Sequence, residues 1–311
     1  MENKEQINSS ENGEDLSTLK ESLRQAIDDG DVQRAGELKE EIIPHLEALK
    51  EKIRMPFESA KEIMGEDYLG PEAVEETFGI KLKEKNIPTI PFSKEELEMA
   101  KRNGQFLILR VNEYKKNREP MNIRNMRYRS SIKGLEIVTA VQSDSIPRAG
   151  WALVKSDASF AFRDYLRETE DLAQYISLKM DEGLVKSPEK YVEALYELEN
   201  KKPYLESIMR TSKPDANLIA DLQVNRLGRQ SISEAVYDTC VYYKKKGALF
   251  FGDGKQVRTN TVSPLGGIME LHMAKDCFVD GKLRLFVGAE ECSYISNGVK
   301  FKPAFVFARR S

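Results

Sequence analysis

Histidine, cysteine and tryptophan are scarce in this chain, with 2 His, 3 Cys and 1 Trp among 311 residues. His45 and His272 lie far apart and join no ligand-spaced motif, so no metal site is expected. Cys240, Cys277 and Cys292 form no CxxC pair, and a sparse, odd set suits reduced thiols better than a disulfide scaffold. Cys277 follows Asp276 and Cys292 follows two glutamates, neighbours that raise a thiol pKa, so no cysteine nucleophile is expected. No run reaches the roughly 18 apolar residues of a membrane span. The opening MENKEQINSSENGED has neither the basic start nor the apolar stretch of a secretory signal. These absences together point to the cytoplasm. Gly252-Asp253-Gly254-Lys255 lacks the full spacing of a phosphate-binding loop and sits between β-segments, as a hairpin turn does. Neither a catalytic residue nor a cofactor is indicated.

What is present is charge, unevenly placed. Charged residues make up 32% of the chain and hydrophobic ones 40%, a globular balance with a polar tilt. Residues 1–100 carry 13 Lys/Arg against 25 Asp/Glu, whereas residues 101–150 carry 11 against 4. An acidic arm followed by a basic segment suits either internal neutralisation or the steering of a charged partner.

Periodicity predicts an α+β protein. Residues 1–14 read as a disordered tail, and 15–54 as a helical hairpin arm. One stripe runs through Leu16, Leu19, Leu23 and Ile27; the other runs through Ala35, Leu38, Ile42, Leu46, Leu49 and Ile53, with a turn at Asp29-Gly30-Asp31. Pro44 predicts a kink in the second helix. The arm is either a solvated lever or a self-association element through residues 16–53. Residues 55–230 read as a helix-rich α+β middle. It has helices after Pro71 and Ser93, buried strands at 106–111 and 151–154, and long helices at about 160–182 and 188–210. A capping box, Ser231 with Glu234, opens a helix ended by Gly247. From 248 the period becomes two, with Asp253-Gly254, Asp280-Gly281 and Asn297-Gly298 as turn dipeptides, so 231–311 is predicted to close as a small antiparallel β module.

Side chains that alternate with apolar positions, or sit in turns of this module, are the candidate ligand contacts: Arg258, Asn260, His272, Lys275, Arg284, Glu290, Glu291 and Tyr294. They predict non-catalytic recognition of a protein or other macromolecular ligand. A second reading is nucleic-acid binding through the basic segment 110–133. Lys115, Lys116, Arg118, Arg124, Arg127, Arg129 and Lys133, with Tyr114 and Tyr128 among them, would grip phosphates and stack bases there. A third is an enzyme of unrecognised type, which needs converging titratable groups in a pocket.

Four stretches, AKEIMGEDYLGPEAVEETFGIKL (60–82), IPTIPFSKEELEMAKRNGQFLILRV (87–111), PRAGWALV (147–154) and ISEAVYDTCVYYKKKG (232–247), resemble a protein family of uncultured, small-genome (candidate-phyla) bacteria. Phe278, Asp280-Gly281, Leu283-Arg284-Leu285 and the closing Phe305-Val-Phe307-Ala-Arg309 resemble the C-type-lectin-like variable domain of diversity-generating retroelement targets. That domain is itself similar to the formylglycine-generating-enzyme fold. The resemblance implies a scaffold that displays side chains for binding. The copper-binding cysteine pair of the formylglycine-generating enzyme has no counterpart, so that activity is not implied here.

Overall fold

The computed structural model describes residues 11–53, 55–114, 117–129, 134–141, 143–155, 160–161, 164–181, 188–211, 215–248, 256–272, 278–279, 282–290, 300–301 and 305–310. The chain divides into two compact units, Met1–Pro56 with Pro91–Ser93, and Phe57–Ile90 with Lys94–Ser311.

The first unit holds α1 (Glu11–Asp28) and α2 (Val32–Ile53), packed on each other as a hairpin. Gly30, at φ 71°, makes the reversal, a left-handed conformation that costs glycine least. Asp31 Oδ1 then accepts the Arg34 N–H at 3.0 Å and so caps α2. Helix α1 begins at Glu11, so residues 11–14, expected in the tail, are helical; residues 1–10 lie outside the described residues. Ala26 is buried while Ile27 is 58% exposed, which moves the end of the expected stripe by one position. Helix α2 continues through Pro44.

The second unit starts with α3 (Phe57–Met64), a 3₁₀ turn, β1 (Tyr68–Leu69), α4 (Pro71–Phe78), α5 (Lys94–Arg102) and β2 (Phe106–Arg110). Then come β3 (Glu113–Tyr114), β4 (Glu119–Pro120), α6 (Ile123–Arg129), β5 (Leu135–Thr139), β6 (Gly150–Lys155) and β7 (Phe160–Ala161). A helical run follows: α7 (Tyr165–Asp181), α8 (Pro188–Thr211), α9 (Ala216–Ala220), α10 (Gln223–Gly228) and α11 (Ile232–Lys246). The last strands are β8 (Gln256–Val262), β9 (Ile268–His272), β10 (Phe278–Val279), β11 (Lys282–Glu290), β12 (Lys300–Phe301) and β13 (Phe305–Arg310). Among the described residues no helix is long and apolar enough to cross a membrane.

The result is α+β, as the periodicity predicts, but the strands are shared out differently. One sheet has the order β1-β2-β6-β13; the other has β10-β11-β9-β8-β12-β7, with β5 added beside β11. Three strands that precede residue 231 thus pair with the carboxy-terminal ones: β6 with β13, β7 with β12 and β5 with β11. Residues 231–311 therefore do not close on themselves, and position 231 does not divide one folding unit from another. The second sheet is also mixed rather than antiparallel, since β5–β11 and β8–β12 are parallel pairs. The cause is backbone hydrogen bonding. Buried strands 135–139 and 150–155 need partners, and β11 and β13 supply them.

Helix α11 lies between the sheets, touching β1 and β2 on one side and β8 and β9 on the other. Its start is fixed by the predicted capping box: Ser231 accepts from Glu234 N while the Glu234 carboxylate accepts from Ser231 N at 2.8 Å. Gly247 ends it at φ 67°. Every residue from Ile232 to Val241 is buried, so a helix expected to hide one face is enclosed all round over its first ten residues, and only its last turn reaches solvent. A separate apolar cluster joins α7, α8, α9 and α10 through Leu172, Ile176, Ala194, Leu198, Ile219 and Val224.

A candidate binding face on the second sheet

An enclosed helix must still accommodate its polar residues, and α11 does so by pairing them. Arg110, at the end of β2, donates from Nε to Asp238 Oδ1 at 2.9 Å and pairs through Nη2 with Asp238 Oδ2. Its Nη1 lies 3.2 Å from Glu234 Oε1, and Gln230 Nε2 also donates to Asp238. All four side chains are buried. Burial opposes the Arg110 charge, but the Asp238 and Glu234 carboxylates outweigh it and hold its pKa above the ordinary guanidinium value.

A second buried set includes Arg229, the residue before Gln230. Glu168 of α7 meets Arg258 Nη1 at 3.3 Å and Arg229 Nη2 at 3.8 Å, while Arg258 Nε stands 4.0 Å from Glu270 of β9. Arg229 Nε donates to Asn225 Oδ1 at 2.8 Å, and its guanidinium lies 4.6 Å from the centre of the Tyr165 ring. Tyr165 OH donates to Thr259 O at 2.6 Å. Two arginines and two carboxylates, all buried, thus tie α7 and the turn after α10 to β8 and β9. Charges withdrawn from water in this way are tolerable only as pairs with further hydrogen bonds.

That bracing fixes the sheet whose outer face carries the candidate contacts. Register pairs Arg258 with Glu270, Glu270 with Gly288, His272 with Phe286, Phe286 with Val138 and Arg284 with Glu136. Side chains that pair in register share a face, so these residues lie on one side of the sheet. The opposite side presents Leu135, Ile137, Val257, Leu271, Leu283, Leu285 and Val287, all buried. On the first side, burial falls off along the sheet. Arg258 and Glu270 are buried, His272, Arg284, Phe286 and Val138 are partly exposed, and Glu136 is exposed. Arg284 Nε donates to Glu136 Oε2 at 2.8 Å, and the His272 and Phe286 rings meet edge to face at 5.8 Å. The partly exposed end of this face thus carries an ion pair, an imidazole and an aromatic edge.

Of the predicted contacts, the structure brings His272 and Arg284 together on this face; Glu290 ends β11, in backbone register with Ile268. Arg258 shares the face but is buried, with its guanidinium committed to Glu168, so it braces the sheet instead of meeting a ligand. Asn260 turns inward: its Nδ2 donates to Arg229 O at 3.2 Å and its N–H to Gln230 O at 3.1 Å. Lys275, Glu291 and Tyr294 lie outside the described residues. In the basic segment Arg118, Arg124 and Arg127 are exposed, with Arg118 at φ 53°; Lys115, Lys116 and Lys133 lie outside the described residues, and Arg129 closes α6.

Phe286, Val138 and Glu136 are missing from the sequence reading. The alternation Leu283, Leu285, Val287 against Arg284, Phe286, Gly288 was the available signal for Phe286, whereas Glu136 and Val138 are revealed only by the β5–β11 pairing. The buried Cys240 thiol is pushed up to about 12 by burial and by Asp238, so it is protonated and unreactive at neutral pH. Among the described residues no group of three or more His, Cys, Asp or Glu is placed to hold a metal ion. In comparisons with family models, curated proteins and solved structures, nothing matches the chain.

Proposed function

We propose that this protein is a non-catalytic recognition protein that binds a protein ligand through the outer face formed by β9, β11 and β5. In this reading the second sheet is the C-type-lectin-like scaffold that the resemblance implies, working in a reducing, cytoplasmic setting. The carrying observation is the split of one sheet into two faces. Leu283, Leu285 and Val287 are buried on one side, while Arg284 and Phe286, with His272 beside them, reach solvent on the other. An aromatic and an arginine on a rigid support are the residue types that anchor protein interfaces.

The test uses full-length protein. Partners retained by the wild type are compared with those retained by R284E/F286S and by R124E/R127E, which alters the basic segment. The expected result is loss of the retained partner in R284E/F286S alone, with an unchanged thermal midpoint. Loss in R124E/R127E alone would move the function to the basic segment and overturn the proposal.

A further inference from the structure

Helix α8 has two faces of opposite character. Inward, Tyr191, Ala194, Leu198 and Leu205 belong to the apolar cluster with α7, α9 and α10. Outward, Val192, Tyr196 and Tyr204 are 54%, 67% and 61% exposed, and Pro203 is exposed beside them. Steps of three and four residues place Val192, Tyr196, Asn200, Pro203 and Tyr204 along one side of the helix. Single exposed apolar residues are ordinary, but a row of them on one helix is a surface with a use.

The charges of that row have one sign. Glu189, Glu193 and Glu199 are exposed within it or at its edges. Of the cations that flank it, Lys201 pairs with Glu197 at 2.7 Å and Lys202 with Glu170 at 3.4 Å, while Lys190 is exposed on the far side of Glu193. A second, independent feature asks for the same kind of partner. Pro203 lies inside the helix and has no N–H, so the carbonyl of Glu199, one turn back, receives no hydrogen bond from it. A backbone acceptor without its helical donor, carboxylates and tyrosine rings all take cationic donors, arginine above all.

We propose that the outward face of α8 docks a basic peptide segment of another protein, one in which arginines alternate with aliphatic residues. Aliphatic side chains cover Val192 and Pro203, guanidinium groups lie on Tyr196 and Tyr204, and donors reach Glu193, Glu199 and the Glu199 carbonyl. A second copy docked by the same face is disfavoured, because a two-fold contact would set like carboxylates against each other.

The experiment measures fluorescence anisotropy of a labelled peptide alternating arginine with leucine on the full-length protein at physiological salt. Its counterpart with glutamate in place of arginine is run alongside. The expected result is that Y196S/Y204S and E193K/E199K each weaken binding of the arginine peptide by about tenfold or more. E37K/E40K, on exposed residues of α2, is expected to leave it unchanged, as is thermal stability in all variants. Equal weakening by all three variants would mean diffuse attraction to an acidic protein and would overturn the proposal. So would equal affinity for the glutamate peptide. If sedimentation shows a dimer that Y196S/Y204S dissociates while the peptide does not bind, the face belongs to a second copy and the proposal also fails.

Discussion

Arg110 ends an apolar strand and meets two buried carboxylates, so its removal exposes how that charge set is balanced. Arg110→Met leaves Asp238 and Glu234 buried without their cation, and a loss of about 3–5 kcal/mol in denaturant unfolding is expected. Changing all three to apolar residues of similar volume should restore much of that loss, since no charge is then stranded. Cys240 gives a second prediction. Its raised pKa means the folded state holds the thiol proton more tightly than the unfolded chain does. Its contribution to stability is therefore complete below the ordinary thiol range and disappears as pH rises toward about 12. Peptide mapping after alkylation at pH 8 should find the Cys240 peptide modified only when denaturant is present. Glu75 titrates in the opposite sense. Burial works to raise its pKa, but the Leu82 N–H at 2.6 Å and Lys81 at 3.0 Å lower it below the ordinary value. The hold on the loop after α4 is thus complete above the ordinary carboxylate range and is lost as pH falls below it.

At the scale of elements, local chemistry explains the ends and non-local packing explains the middles. Helix α11 begins where Ser231 and Glu234 exchange hydrogen bonds, so Ser231→Ala should cost about 1 kcal/mol. Helix α10 approaches α7 closely at Gly228, where an added Cβ would come within 3.1–3.3 Å of Ile176 and Leu172. Gly228→Val, which adds two methyl groups beyond that Cβ, is expected to cost about 1–3 kcal/mol by crowding, read as a lower melting midpoint. The caps at Pro71, Ser231 and Gly247 were legible because they act over three or four residues. The enclosure of α11 was not. Its sequence ISEAVYDTCVYYKKK reads as a helix with one apolar face, and Glu234 and Asp238 become interior residues only because Arg110, more than a hundred positions earlier, is brought to them. The candidate face was half legible for the same reason: Arg284 stood out by alternation, whereas Glu136 gained its role from strand pairing.

For the whole molecule, the sharing of strands across residue 231 has a direct consequence. A fragment of residues 231–311 lacks β5, β6 and β7, three partners of its own strands. It should show little ordered sheet by circular dichroism, whereas residues 57–311 should fold cooperatively. A stable, folded 231–311 fragment would show that its strands can close without those partners. The sequence by itself determined most of the longer helices, several of their ends and the helical hairpin, because periodicity, capping and turn residues act between near neighbours; the short elements β5, β7, α6, α9 and α10 were not read from it. Only the tertiary structure decided which strands meet, which charges are buried and which side of the sheet stays open. Those outcomes depend on hydrogen bonds and ion pairs between segments far apart in the chain, such as Arg284 with Glu136, 148 residues apart, and no local pattern records them.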